Sequence, residues 1–239
     1  LFRVIVELQL AKFHTMKTLR IRAQLRVLAL LACGVTLSSA SGEEQGFTSL
    51  FDGKTLDGWV GATDAYQVQD NAIVCVAGAA GNLLTQKEYA DFVLRFDFRL
   101  TPGANNGLGV RCPLVVQGNL HLEGIELQIL DNTAEKYRTL QPYQYHGSVY
   151  GIQPAKREFL KPVGEWNSQE VTVQGRHIQV VLNGEVIVDV NLDQATTNGT
   201  LDGQPHPGLA RMRGHLGLLG HGDVVAFRNL RIKELSAAK

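Results

Sequence analysis

Glu126 and Gln128 stand two apart in a segment, residues 122–130, whose alternate positions Ile125, Leu127 and Ile129 are apolar. Side chains alternate across a strand, so this spacing sets a carboxylate and an amide side by side, opposite the apolar face. A carboxylate can take or give a proton, and an amide both donates and accepts hydrogen bonds. The same alternation also fits a plain solvated outer face. Asp131 lies five positions beyond Glu126 and points the other way in a regular strand, so it joins the pair only through a bulge or at the strand end. Arg111 shares a side with Gly109, opposite Leu108, Val110 and Cys112, which leaves room for a bound group beside the guanidinium; a surface ion pair is the competing reading. Tyr150 and Trp166 offer rings with an apolar face and a polar tip, and Tyr150 and Asn167 can supply hydrogen bonds. Burial in a core accounts for the rings equally well. Cys33, Cys75 and Cys112 lack the paired spacing of a zinc site, and no His, Cys, Asp or Glu spacing supports any other metal, so neither a metal nor a cofactor is expected.

These groups need strands to carry them. Phe92, Leu94, Phe96, Phe98 and Leu100 take every second position against Arg95, Asp97 and Arg99, the signature of a half-buried strand. Residues 108–112 alternate in the same way and stop at Pro113, which cannot donate to a ladder. Further strands are expected at 66–76, 122–130, 169–174, 177–182, 185–191, 215–219 and 223–233, and no run at helical spacing is long enough for a core helix. The pattern predicts an all-β sandwich or jelly roll. At Asn183-Gly184 a two-residue turn would split the apolar face, because Ile178, Val180 and Leu182 would then share a side with Glu185 and Asp189. A three-residue loop pairing Val180 with Val186 and Ile178 with Val188 is expected instead.

Composition bounds the rest. Glycine accounts for 25 of 239 residues, above the usual share of about 7%, which calls for many tight turns. Lys+Arg 23 balance Asp+Glu 23, so no bulk field draws in nucleic acid or an anionic membrane. Ahead of Phe47 the chain reads as an over-long gene start at 1–15 and a secretory signal at 16–40. In that signal Lys17, Arg20, Arg22 and Arg26 precede an apolar run from Val27 to Leu37 and then Ser38-Ser39-Ala40. Cleavage after Ala40 leaves one exported domain, 41–239, in the periplasm or outside the cell. Lipidation at Cys33 after Leu30-Leu31-Ala32 is the alternative, and the apolar run is too short for a transmembrane helix. In an oxidising compartment Cys75 and Cys112 can pair, or both can be buried thiols.

Seven segments in order resemble the 3-keto-disaccharide hydrolase domain family: GFTSLFDGKTLDGW at 46–59, LLTQKEYADFVLRFDFRL at 83–100, GANNGLGVR at 103–111, GIELQILD at 124–131, HGSVYGI at 146–152, KPVGEWN at 161–167 and HGDVVAFRNLRIKEL at 221–235. The resemblance implies a concanavalin-like two-sheet jelly roll acting on carbohydrate oxidised at C3, with Glu126 and Gln128 on the ligand-bearing strand. Within its segments His221, between Gly220 and Gly222, is the histidine implied near the pocket, and His146 is a second. His121, His177, His206 and His215 read as surface or structural. Asn106 stands where the family has Ser, and Leu219 where it often has Gln.

Three functions follow from these residues. The first is cleavage of 3-keto-glycosides: a C3 carbonyl acidifies C2, so one base, Glu126 or His221, suffices, and Arg111 and Gln128 steady the enolate. The second is a retaining glycosidase, for Glu126-x-Gln128-x-x-Asp131 is spaced like the acidic strand motif of laminarinase-type glucanases. Retention needs two carboxyl groups about 5–5.5 Å apart, and Glu126 has no facing glutamate because Glu123 projects to the other side. The third is a carbohydrate-binding module without catalysis.

Overall fold

The computed structural model describes residues 44–236. The over-long start, the signal with its cleavage after Ala40 and the alternative at Cys33 all lie outside them. The strands are β1 (Thr48–Ser49), β2 (Trp59–Gly61), β3 (Tyr66–Gln69), β4 (Ala72–Cys75), β5 (Ala80–Tyr89), β6 (Phe92–Leu100), β7 (Asn105–Cys112), β8 (Ile125–Leu130), β9 (Trp166–Gln174), β10 (His177–Leu182), β11 (Glu185–Asn191), β12 (Gly214–His221) and β13 (Val225–Glu234). Two one-turn helices, α1 (Leu120–Glu123) and α2 (Leu192–Ala195), sit between them. Among the described residues no helix is long and apolar enough to cross a membrane.

The strands form two antiparallel sheets, one in the order β11-β10-β9-β6-β13-β4-β3 with β1 also on β13, the other in the order β2-β5-β12-β7-β8. Their inner faces share one core. Phe92, Leu94, Phe96 and Phe98 of β6 and Val171 and Val173 of β9 meet Leu108 and Val110 of β7, Ile125, Leu127 and Ile129 of β8, and Leu216 and Leu218 of β12. The architecture is the two-sheet jelly-roll sandwich that the alternation predicts.

The hairpin at Asn183-Gly184 corrects the expected register. Leu182 pairs with Glu185 across a two-residue turn, with Asn183 at φ 51° and Gly184 at φ 93°. Both values are positive, as a tight hairpin turn of the right twist requires. The apolar face survives because the odd residue is a bulge in β11: Val181 pairs with Val186 and Val180 with Val188, leaving Ile187 unpaired. Ile187 and Val188 are then both buried while Val186 stays exposed.

A second bulge re-aims Arg111. Gly217 pairs with Gly109 but His215 with Cys112, so Val110 and Arg111 together oppose Leu216. Arg111 adopts φ 54°, in the left-handed region, and its side chain is fully buried rather than open beside Gly109. The guanidinium donates to the carbonyls of Gly175 (2.7 Å), Arg211 (3.1 Å) and Ala90 (3.4 Å), and lies 3.5 Å from Asp91 Oδ1. It therefore joins the β5–β6 turn, the β9–β10 turn and the approach to β12 at one end of the sandwich. Arg111→Ala leaves those acceptors unpaired in the interior and should cost about 3–5 kcal/mol of stability, read from the urea unfolding midpoint. A loss below about 1 kcal/mol would assign the strut no weight.

Candidate functional site

Directly opposed residues in an antiparallel ladder point the same way, so the outer face of the five-stranded sheet can be read row by row. One row is Glu126, Gly109, Gly217 and Leu84; the next is Gln128, Gly107, Leu219 and Asn82. Asn105 and Leu130 follow, with His221 at the end of β12. In the middle of this face β7 supplies only glycines, and neighbouring side chains fold over them. A Cβ on Gly107 would lie 2.1 Å from Glu126 Oε1, so the Glu126 side chain rests across β7 in space that any other residue would fill. A Cβ on Gly109 would lie 2.5 Å from Cys112 Sγ and 3.2 Å from a Leu219 methyl.

The wall comes from the 35-residue connection between β8 and β9, whose middle runs back along the free edge of β8. Gly147 N donates to Gln128 O (2.8 Å), Gln128 N to Ser148 O (3.0 Å) and Tyr150 N to Glu126 O (2.9 Å). The result covers the sheet edge and sets Tyr150 beside Glu126. A cavity of about 160 Å³ forms there, lined by Glu126, Gln128, Asn105 and Leu130 from the sheet, Tyr137, Leu140, Gln144 and Tyr150 from the connection, His121 from α1, and His221.

Glu126 is 5% exposed, and its Oε1 has no hydrogen-bond partner among the described residues. Leu84, Cys112, Leu120 and Leu219 form an apolar cluster on the same side of the sheet. Desolvation pushes the carboxyl up to about 7. Burial also pushes the Cys112 thiol up to about 12, and the nearby Glu126 charge adds to the effect. Gln128 Nε2 donates to Asn105 Oδ1 (2.7 Å), and Gln144 Nε2 donates to Tyr150 Oη (2.8 Å), which leaves the Tyr150 O–H proton free to donate. His121 meets the Tyr150 ring edge-on at 5.5 Å. Desolvation lowers the pKa of both His121 and His221, and His221 remains exposed at the rim.

Of the residues singled out in the sequence, Glu126, Gln128, Tyr150 and His221 converge on this cavity. Arg111 does not, for the reason given above. Asp131 Oδ2 accepts from Gly103 N (2.8 Å) and Oδ1 from Thr133 N (2.9 Å) and Oγ1 (2.6 Å), so its carboxyl closes a turn. Trp166 shares the outer face of the other sheet with its partner Arg99, between the Arg99 and Arg228 guanidinium groups at 4.8 and 4.0 Å. Asn167 is buried, accepting from Lys161 N and Asn183 Nδ2, both at 2.9 Å. His146 lies in the interior, stacked on Phe98 at 5.0 Å, and burial pushes its pKa down to about 4. Asn106 faces the core, where it meets Cys75 Sγ at 3.3 Å, so its departure from the family pattern does not reach the cavity. Cys75 and Cys112 are both free, buried thiols.

His121 belongs to the cavity although it read as structural; a lone histidine on a one-turn helix carries no periodic signal. Asn105 was missed as well, although its alternation with Gly107 and Gly109 on one face of β7 is the signal that finds it. A groove of about 410 Å³ on the other sheet, lined in part by Glu44, Phe47, Asp52 and Arg231, has its charges internally matched: Glu44 pairs with Arg95 and Arg231, and Asp52 accepts from Lys54 N and Thr55 N. Among the described residues no three His, Cys, Asp or Glu side chains converge as a metal-binding set.

The raised Glu126 pKa has a signed consequence for stability. Between its unfolded value near 4.5 and its folded value of about 7 the folded chain holds a proton that the unfolded chain releases. This group's contribution is fully present below pH 4.5 and is lost as pH rises through 7. Glu126→Gln should therefore raise stability at pH 8 relative to pH 4.5, by on the order of 3 kcal/mol, in paired chemical unfolding curves. Equal pH dependence in the two proteins would mean that the carboxyl is solvated.

A family model described as the 3-keto-alpha-glucoside-1,2-lyase-like domain matches residues 46–233. A 3-keto-disaccharide hydrolase of Bacteroides thetaiotaomicron is 26% identical over 231 residues, covering 81% of this chain and 80% of that protein. Two solved structures of candidate glycosyl hydrolases from Parabacteroides distasonis ATCC 8503 superpose with TM-scores of 0.69 and 0.70 at 30% and 25% identity, covering 79% and 80% of this chain and 99% and 94% of theirs. The match takes in every strand of both sheets but the last residue of β13, and with it each wall of the Glu126 cavity: the chain belongs to the 3-keto-alpha-glucoside-1,2-lyase-like domain family.

Proposed function

We propose that this protein is an exported enzyme that cleaves glycosidic bonds of sugars oxidised at C3, and that the Glu126 cavity is its active site. The observation that carries the reading is one buried carboxylate, without a hydrogen-bond partner and with a pKa of about 7, in a cavity otherwise lined by amides, a phenol and imidazoles. A general base works best when its pKa lies near the operating pH. Among the described residues no second carboxylate lines the cavity, and both Asp131 oxygens are occupied in a turn, which disfavours double-displacement glycosidase chemistry.

The C3 ketone supplies what a second carboxylate would otherwise provide. Glu126 takes the proton from C2, and the electron pair of the broken C–H bond forms an enolate that runs onto the C3 oxygen. That oxygen is met by neutral donors: the Tyr150 O–H, the Asn105 amide and the second N–H of Gln128. The enolate then collapses, forming the C1–C2 double bond as the C1–O bond breaks. His221 hands a proton to the departing oxygen and recovers one from solvent at the rim. The proton held by Glu126 then returns to C2 as water adds its hydroxyl to C1 and releases its own proton to solvent, which completes net hydrolysis and restores the base.

Incubated with a 3-keto-glycoside and with its unoxidised parent, the protein should cleave only the former, as followed by mass spectrometry. Glu126→Gln should lower turnover by roughly 10²–10⁴, the range of general-base catalysis, with the fold intact. The pH–rate profile should be bell-shaped, with limbs belonging to the Glu126–His221 pair, and His221→Gln should remove one of them. Equal cleavage of the parent glycoside would show oxocarbenium chemistry instead, and tight sugar binding with no product from either would show a binding module. For export, intact-mass measurement of the protein from its native host should give a chain starting near Ser41; retention of residues 17–40 would contradict it.

A further inference from the structure

A buried histidine–aspartate contact is not used by the mechanism. Asp202 and His206 lie in the connection between α2 and β12, with side chains 11% and 1% exposed and His206 Nε2 at 3.0 and 3.2 Å from the two carboxylate oxygens. Asp202 Oδ1 also accepts from Gln204 N (3.1 Å), which fixes the carboxylate from its own turn. The pair presses on the main chain of the cavity wall: a Cβ on Gly151 would lie 2.4 Å from Asp202 Oδ2 and 2.9 Å from His206 Nε2. Gly151 is at φ 72° and directly follows Tyr150, and its carbonyl accepts from Leu201 N at 2.7 Å.

The other side of the same connection supports His121. Beyond His206 the chain makes a tight turn, Pro207–Ala210, in which a Cβ on Gly208 would lie 2.0 Å from Gly124 O, at the end of α1. One short stretch thus backs both the Tyr150 turn and the helix that carries His121, and these two rings meet edge-on.

We propose that Asp202 and His206 are positioning residues for the candidate active site: their side-chain contact locks the Tyr150–Gly151 turn against α1 and so fixes the substrate-facing wall formed by Tyr150 and His121. The sugar class is that of the function proposed above, on which only the kinetic part of the test rests. His121 is faced by the Tyr150 ring, by His221 from β12 and by the Asp202–His206 pair. Desolvation holds its pKa down, with His206 and His221 adding to that and Asp202 opposing it.

Two variants separate the roles. His206→Gln keeps an N–H for Asp202, and His206→Ala does not. NMR titration of the His121 imidazole should shift upward in both, since the His206 ring that helps to hold it down is gone. The Tyr150 ring signals should stay in place in His206→Gln and move or broaden in His206→Ala. With a 3-keto-glycoside, His206→Ala should lower kcat by about tenfold to a hundredfold, with KM much less affected, because the Tyr150 O–H serves the enolate, and His206→Gln should restore most of that loss. Folded variants in which the His121 titration and the Tyr150 signals match the parent protein would overturn the proposal. So would unchanged ring signals accompanied only by a lower melting temperature. Failure of the parent protein to cleave any keto-glycoside would remove the functional reading alone, and the two NMR measurements would still decide the positioning role.

Discussion

The Glu126 carboxyl lies flat on a β-sheet, and a sheet surface has room for that only where the neighbouring strand carries no side chains. Gly107 and Gly109 provide the gap on β7, and Gly217 extends it into β12. Every other feature of the site answers to this arrangement. The apolar cluster of Leu84, Cys112, Leu120 and Leu219 withholds water and hydrogen bonds from the same side, so the carboxyl is costly to ionise and correspondingly basic once ionised. An exposed glutamate on an ordinary strand would have neither property.

Such a carboxylate is a liability to the fold, and the sandwich carries it by being firm elsewhere. The shared core, with Phe96 set between Phe98 and Phe227 at 6.1 and 6.2 Å, does not depend on the bare patch. Arg111 draws together three carbonyls from different parts of the chain at one end of the sandwich, converting a second buried charge into a cross-link. One charged group thus spends its terminal N–H groups on the fold, while the other has no partner among the described residues and is available to chemistry.

How far this could be read from the residues depended on what each signal measures. Alternation reports one wet face, and it located β6, β10, β11 and the Glu126–Gln128 face of β8. It missed β5, where Leu83 enters the core and its neighbour Leu84 the outer cluster, because a strand covered on both sides does not alternate. Alternation also assumes regular pleating. Arg111 and Ile187 broke that assumption at bulges, which consume a residue without marking the sequence. Trp166 and Asn167 have the right chemistry for a ligand but sit on β9, in the opposite sheet, a fact carried by long-range pairing rather than by local pattern. His121 entered the site through tertiary packing of a single helical turn, for which no local signal exists.

Asp131 and Asn167, whose polar groups are spent on the main chain, bracket the whole connection that builds the cavity wall. Asp131 grips Gly103 at its start, and Asn167 receives Lys161 near its end. Between these two clasps the connection holds the edge of β8 by main-chain hydrogen bonds, which are indifferent to side-chain identity, while His146, Val149 and Ile152 enter the interior. Only the exposed part of the wall is in this sense replaceable. A lineage can rewrite the exposed positions of residues 132–165 and reshape the rim of the cavity, while Tyr150, the base, the glycines of β7 and the folding core stay as they are.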